Sequence, residues 1–322
     1  MITCTDGVQI HAWLLQAPNV DWTKAPTIIF FHGNAGNIGL RIPNAIQMLQ
    51  QLGSNVLMVE YRGYGNSDSV KPTEHGLKLD AQAALLFAHQ YTGIDSSQIF
   101  IFGRSLGGSV AIYLAHIATE RNIPFAGLMV ENTYTSISDM VNVVMPFLIP
   151  IKQYVLRIGW DSASLMPYLG QQQVPILFLA GAKDELVPHH QMKQLYSIAQ
   201  QHKSLSTVAT TKATPLDLIR IHVIPNGTHN ESWLQGGLEY WDAIRNFMMA
   251  TLQPQHPATN SYNTAPIHDI MSSSTSTSSG AQLLHDVNLK ASDQTAIPTM
   301  SNQFVDIAKS AIASKSGFKK EL

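Results

Sequence analysis

The stretch "IFIFGRSLGGSVAIYLA", residues 99–115, decides the fold. A run of β-branched and aromatic residues stops at Gly103-Arg104-Ser105-Leu106-Gly107, and a second apolar run follows with helical spacing. The five residues fit the pattern G-x-S-x-G, and they stand between a predicted strand and a predicted helix. This context predicts that Ser105 lies on a sharp, strained bend with its hydroxyl above the sheet edge. The alternative is an ordinary tight turn that contains a serine by chance.

Such a bend constrains its neighbours and suits a reactive serine. Side chains at Gly103 and Gly107 would collide with the adjacent strand and helix, so both positions need small residues. The bend also places the Ser105 hydroxyl at a helix N-terminus, where the helix dipole and the free N–H groups favour negative charge. Ser105 is therefore the candidate nucleophile.

The rest of residues 1–253 alternates short apolar runs with helical patterns. Continuously apolar strands indicate burial on both faces, and strand–helix alternation indicates a parallel sheet. We predict an α/β fold with a mostly parallel, twisted sheet flanked by helices. The strand-like runs are "GVQIHAWLL" (7–15), "TIIFFHG" (27–33), "NVLMVEYRG" (55–63), "FAGLMVENT" (125–133), "VPILFLAGAKD" (174–184) and "LIRIHVIPNGTH" (218–229).

Composition separates the chain into two parts and excludes some functions. Residues 1–253 are predicted to form the globular domain, and residues 136–169 to form a short cap segment over its pocket. Residues 254–322 contain "SSSTSTSSG" and are predicted to be a low-complexity, mostly disordered tail. The formal net charge is −2 and charged residues make up 13% of the chain, which argues against a nucleic-acid partner. A single cysteine, Cys4, excludes an intrachain disulfide and is typical of a reducing compartment.

A serine hydroxyl needs a base, and the base needs an orienting acid. In doubly wound hydrolytic folds these follow in the order Ser, Asp or Glu, His, each after a later strand. Asp184 and His229 meet that requirement. Glu131 also follows a strand and is the alternative acid, whereas Glu185 should point elsewhere if Asp184 turns inward. The other histidines considered do not follow a strand in this way, because His189 and His190 begin a predicted helix and His222 lies inside a predicted strand.

The tetrahedral intermediate of such a reaction needs hydrogen-bond donors for its oxyanion. We predict the backbone N–H groups of Leu106 and Asn34 as these donors, because the loop "HGNAGN" (32–37) follows a strand and its glycines allow close approach. The alternative is an ordinary glycine-rich connection. The turn "YRGYGNSD" (61–68) is predicted to support this loop. The sequence contains neither a phosphate-binding nor a zinc-binding motif, so no cofactor and no metal are expected.

These motifs together resemble the α/β-hydrolase superfamily and, within it, the Bem-type serine hydrolases, also described as α/β-hydrolase-domain-containing protein 13-like. The likeness is collinear over about residues 6–252. It is carried by "FFHGNAGNIG", "EYRGYGNSD", "FGRSLGGSVAI", "VENTYTSI", "KDELVP", "MKQLY" and "PNGTHNESW". The resemblance implies a Ser105–His229–Asp184 triad that hydrolyses a carboxylic ester or thioester. The expected substrate is a small hydrophobic acyl compound, in an acyl lipid or an acyl-protein.

Two alternatives to an esterase also fit the sequence, namely a non-catalytic α/β-hydrolase-like binding module and a serine peptidase.

Members of the resembled family usually carry an N-terminal membrane anchor, whereas this chain begins close to its first strand. We therefore expect the chain as given to be cytoplasmic, with endomembrane association only through a segment that this sequence does not contain.

Overall fold

A computed structural model describes residues 1–144, 159–203 and 217–253. Within these ranges the strands are β1 (Ile2–Thr3), β2 (Gln9–Ile10), β3 (Ala12–Leu15), β4 (Thr27–Phe31), β5 (Asn55–Val59), β6 (Ile99–Arg104), β7 (Gly127–Glu131), β8 (Ile176–Gly181) and β9 (Ile219–Ile224). The main sheet has seven of them in the order β3-β5-β4-β6-β7-β8-β9, and a two-stranded sheet pairs β1 with β2. Only β3 runs antiparallel to its neighbour in the seven-stranded sheet.

Helices cover both faces of the sheet. They are α1 (Ile42–Leu52), α2 (Glu74–Gln90), α3 (Leu106–Glu120), α4 (Ile137–Val144), α5 (Ser162–Gln171), α6 (His190–Gln201), α7 (Ser232–Gln235) and α8 (Gly237–Leu252). Helices α1 and α8 pack on one face, and α2, α3, α5 and α6 pack on the other. The prediction of a mostly parallel sheet flanked by helices is confirmed.

The central strands are apolar throughout because both of their faces are buried. In β4 all five residues are buried. Ile28 and Phe30 belong to the core beneath α1 and α8, whereas Ile29 and Phe31 belong to the core on the opposite face. Each such side chain contributes about 1.5–3 kcal/mol when it is fully buried. The two cores hold the sheet rigidly, which fixes the positions of the loops at its edge.

The first predicted strand differs in detail from the structure. Residues 7–15 read as one strand, but the structure divides them at His11 between β2 and β3. The His11 N–H donates to Ser67 Oγ (2.8 Å) and not to a neighbouring strand. The chain thereby leaves the small sheet and enters the large one.

Parallel strands end at the same edge of a sheet, and this edge carries the predicted site. Ser105 follows β6, Asp184 lies three residues beyond β8, and His229 lies five residues beyond β9. Of the predicted cap segment, residues 145–158 lie outside the described residues, as does the predicted tail. In the described part of the chain, no helix combines the length and apolar character needed to cross a bilayer.

Candidate active site

The bend at Ser105 has the strained geometry that the sequence predicts. Ser105 adopts φ 56° and ψ −122°, in a region that residues with a side chain rarely occupy. A Cβ atom on Gly103 would come closer than 3.0 Å to the Gly107 carbonyl oxygen, and one on Gly107 equally close to that of Phe31. Hydrogen bonds hold the bend, since Ser105 N–H donates to the Glu131 carbonyl (3.0 Å). The two glycines are therefore required by close main-chain packing.

The structure brings Ser105, His229 and Asp184 together in one hydrogen-bonded chain. His229 Nε2 lies 3.0 Å from Ser105 Oγ. His229 Nδ1 lies 3.0 and 2.9 Å from the two carboxylate oxygens of Asp184. An ionised carboxylate only accepts hydrogen bonds, so Nδ1 carries the proton and Nε2 is free to accept from the serine hydroxyl.

Burial and backbone contacts fix the acid and the base. The side chains of His229 and Asp184 are 4% and 1% exposed, so little water competes for their hydrogen bond. Asp184 Oδ1 also accepts the backbone N–H groups of Leu186 (2.9 Å) and Val187 (2.8 Å). These two bonds set the orientation of the carboxylate. The acid is thus held in place independently of the imidazole.

The alternative acid, Glu131, faces away from His229. Its Oε2 atom accepts hydrogen bonds from Arg104 Nη2 (3.0 Å) and Tyr240 Oη (2.7 Å). Glu131 is fully buried. The structure therefore places Asp184, and not Glu131, against the imidazole. Glu185 Oε2 accepts the backbone N–H of His229 at 3.2 Å, whereas the ring nitrogens of His229 bond to Asp184 and Ser105.

Sequence reasoning missed Asn132, which holds the loop that carries His229. Its Nδ2 atom lies 3.0 Å from the carbonyl oxygens of both Thr228 and His229, and 3.1 Å from Ser232 Oγ. Its Oδ1 atom accepts the Gly181 N–H at the end of β8 (2.8 Å). Asn132 has φ 48°, a conformation that asparagine tolerates better than most residues. It joins the ends of β7 and β8 to the His229 loop.

Asn132→Asp is expected to lower kcat by roughly 10–100-fold, because misplacing a catalytic group by about 1 Å can cost about 100-fold. A carboxylate cannot donate to the two carbonyl oxygens and would repel them. The measurement is kcat on an activated ester, with the melting temperature as the readout of stability. Asn122→Asp is the matched control, because Asn122 also has a positive φ (55°) but is exposed after α3. Equal turnover in both variants would contradict this role.

The loop that carries Asn34 packs directly against the serine. A Cβ added to Gly33 would lie 3.4 Å from Ser105 Cβ. The turn after β5 supports the loop, since Tyr61 Oη donates to the His32 carbonyl (3.0 Å) and Tyr64 Oη to Asn34 Oδ1 (3.0 Å). The turn "YRGYGNSD" thus contacts the loop, as predicted from the sequence.

The buried His32 ring orients the peptide group between Gly33 and Asn34. His32 Nδ1 lies 2.7 Å from the Gly33 carbonyl oxygen. Burial lowers the pKa of His32 to about 4, so the ring is neutral near pH 7 and Nδ1–H can donate to that oxygen. In a planar trans peptide the C=O and N–H point in opposite directions. The N–H of Asn34 consequently points away from His32.

In the ranges 1–144, 159–203 and 217–253, no three His, Cys, Asp or Glu side chains are arranged to hold a metal ion. The arrangement around Ser105 consists of a hydroxyl, an imidazole, a carboxylate and backbone N–H groups. These groups can perform nucleophilic attack on a carbonyl with proton transfer.

Comparison with known proteins points in the same direction. A family model described as the alpha/beta hydrolase fold matches residues 26–147. The α/β hydrolase domain-containing protein WAV2 of Arabidopsis thaliana is 36% identical over 255 residues, which cover 76% of each chain. Protein bem46 of Schizosaccharomyces pombe is 35% identical over 76% of this chain and 73% of its own length. A Saccharomyces cerevisiae relative described as an uncharacterized membrane protein is 33% identical over 76% of each chain.

Solved structures share the fold at lower identity. Est1E of Butyrivibrio proteoclasticus, solved with bound ferulic acid, superposes with a TM-score of 0.56 at 18% identity. The likeness covers 79% of this chain and all of that chain. At this identity it demonstrates a common architecture.

Proposed function

Because the chain belongs to the α/β-hydrolase family that includes WAV2 and bem46, we propose that it is a serine hydrolase of carboxylic esters or thioesters. The fold, which the esterase Pf2001 of Pyrococcus furiosus shares with a TM-score of 0.57 at 17% identity, supports a hydrolase. The observation that carries the finer proposal is the continuous hydrogen-bonded chain from Ser105 Oγ through His229 to Asp184. A binding module has no need for such an arrangement.

In the first half of the proposed reaction, Ser105 Oγ attacks the acyl carbonyl while His229 Nε2 takes the hydroxyl proton. Asp184 stabilises the imidazolium that forms and keeps the ring in the orientation that points Nε2 at the serine. The imidazolium then gives its proton to the leaving alcohol or thiol as the bond to the acyl carbon breaks. This leaves an acyl group on Ser105.

In the second half, His229 takes a proton from water, and the resulting hydroxide attacks the acyl-enzyme. The same proton then returns to Ser105 Oγ as the acid leaves. In both halves the backbone N–H groups of Leu106 and Asn34 are proposed to hold the oxyanion. Leu106 N–H is free for this role by position, because it stands in the first turn of α3, where N–H groups have no partner within the helix.

Residues 162–169 of the predicted cap segment (136–169) belong to α5, which packs on the face of the sheet. We further propose that the part of the segment that precedes α5 caps this site and contacts the acyl group. The segment leaves the sheet just after β7 and returns beside its own start, since Ala163 N–H donates to the Thr135 carbonyl (2.9 Å). Its two ends therefore meet just beyond β7. Strand β7 pairs with β6, the strand that Ser105 follows.

The proposal is tested by fluorophosphonate labelling of the full chain, followed by peptide mapping of the modified residue. The expected result is a single labelled peptide that contains Ser105. A panel of p-nitrophenyl esters, acyl thioesters and peptides then separates the classes, with turnover expected on the first two. A folded protein that is not labelled would indicate a binding module, and turnover of peptides alone would indicate a peptidase.

A further inference from the structure

Arg41 is a cation in an unfavourable position that the mechanism above does not use. Its Nη2 atom donates to the Ala35 carbonyl at 2.7 Å. Its Nε atom is closed off from solvent and has no hydrogen-bond partner among the described residues. In the part of the chain that the structure describes, no carboxylate oxygen lies within 4.0 Å of this guanidinium.

A second guanidinium lies nearby and adds to the cost. Arg104 is buried, and its partners are Glu131 Oε2 and Asn44 Oδ1 (2.8 Å). Burial, together with the charge of Arg104, lowers the pKa of Arg41 to about 10, which still leaves Arg41 charged near pH 7. Arg41 is half-buried and faces no carboxylate, and such surroundings are less favourable for a charge than water is. Stability does not by itself account for an arginine here.

The hydrogen bond of Arg41 shows what the side chain does. Ala35 lies in the middle of the oxyanion loop, which we define as residues 33–37. Arg41 draws the Ala35 carbonyl toward the protein, and His32 does the same for the Gly33 carbonyl. Since C=O and N–H point in opposite directions in a trans peptide, both contacts turn N–H groups outward. Gly36 then has φ 75°, a conformation that favours glycine.

We infer that Arg41 is a positioning residue, which holds the oxyanion loop through the Ala35 carbonyl and places a positive charge behind its peptide groups. This inference rests on the proposed hydrolase function. Donors held in advance stabilise charge that develops in the transition state more than they stabilise the substrate. The loss of Arg41 should therefore lower kcat and leave KM nearly unchanged.

The test compares Arg41→Met and Arg41→Lys with Arg245→Met on one activated ester. Arg245 is the matched control, because its Nη2 also donates to a main-chain carbonyl, that of Gln51 (2.8 Å), on α1. Arg41→Met is expected to lower kcat by about 10–100-fold with KM within about threefold, since removing one oxyanion donor outright costs about 10²–10³-fold. Arg41→Lys keeps the charge and a donor, so its kcat should be at least about fivefold higher than that of Arg41→Met. Arg245→Met should match the wild type.

Three results would overturn the inference. They are native kcat in a folded Arg41→Met variant, an effect confined to KM, or an Arg41→Lys variant no better than Arg41→Met. If Arg41→Met does not fold, Arg41→Gln replaces it, because glutamine is uncharged and shorter, and native kcat together with native hydrogen exchange at the amides of residues 34–37 in that variant would overturn the inference. Hydrogen exchange at the amides of residues 34–37 is independent of turnover and should accelerate in the Arg41 variants. A wild type that fluorophosphonate does not label would refute the hydrolase proposal instead.

Discussion

Asp184→Asn is expected to lower kcat by about 10³–10⁴-fold with little change in KM. The Asp184 carboxylate contacts His229 Nδ1 through both oxygens. An amide has one oxygen and one NH₂ group, so it can present a donor to Nδ1 and favour the tautomer that carries its proton on Nε2. That tautomer cannot accept the Ser105 proton. Steady-state kinetics on one activated ester measures the effect.

Glu131→Gln is the comparison that makes this result specific to Asp184. Glutamine at 131 would leave the buried Arg104 guanidinium without its counter-charge, which costs about 3–5 kcal/mol when one partner of a buried pair is removed. We expect a lower melting temperature, with kcat of the folded fraction within about tenfold of the wild type. Should Glu131→Gln lose its turnover while Asp184→Asn keeps it, the acid would be Glu131.

Gly107→Val is expected to prevent folding or to lower the melting temperature severely, and activity should be lost with the fold. The added Cβ would meet the Phe31 carbonyl, which is main chain at the end of the interior strand β4 and cannot turn aside as a side chain can. Overpacking with side-chain neighbours already costs about 1–3 kcal/mol. Circular dichroism melting and labelling with fluorophosphonate check both parts of the prediction.

The matched control is Gly159→Val. Among the described residues, a Cβ at Gly159 would come within 4 Å of Glu74 Oε2 alone, at 3.9 Å, which is an ordinary contact. We expect this variant to melt close to the wild type. Gly107→Val with native stability and native turnover would show that the bend is not as tightly packed as the structure indicates.

The sequence could predict the residues whose roles depend on local pattern. Ser105, Asp184 and His229 each follow an apolar strand, and parallel strands end at one edge, so their meeting could be inferred without coordinates. Asn132 also follows a strand, but its partners lie up to 100 residues away in sequence. No local signal distinguishes such an asparagine from a turn residue.

Arg41 shows a second limit of sequence reasoning. An arginine at the start of a helix is typical of a solvated surface position, and its contact with the Ala35 carbonyl depends on how the loop folds back. The break at His11 has the same origin, because the N–H that would continue the strand bonds to Ser67, 56 residues away. Periodicity reports which face is buried, and it does not report which main-chain groups find partners outside the sheet.

The order of the strands also bears on how the molecule loses its activity. Ser105 is carried by β6, in the interior of the sheet, whereas His229 follows β9, the outermost of the described strands on its side. Outer strands open locally at a lower free energy than central ones. The base could thus detach from the serine in mild denaturant while β4 to β7 stay paired. Turnover would then depend on whether β9 stays paired with the rest of the sheet. It would fall at a lower denaturant concentration than the spectroscopic signals of global unfolding.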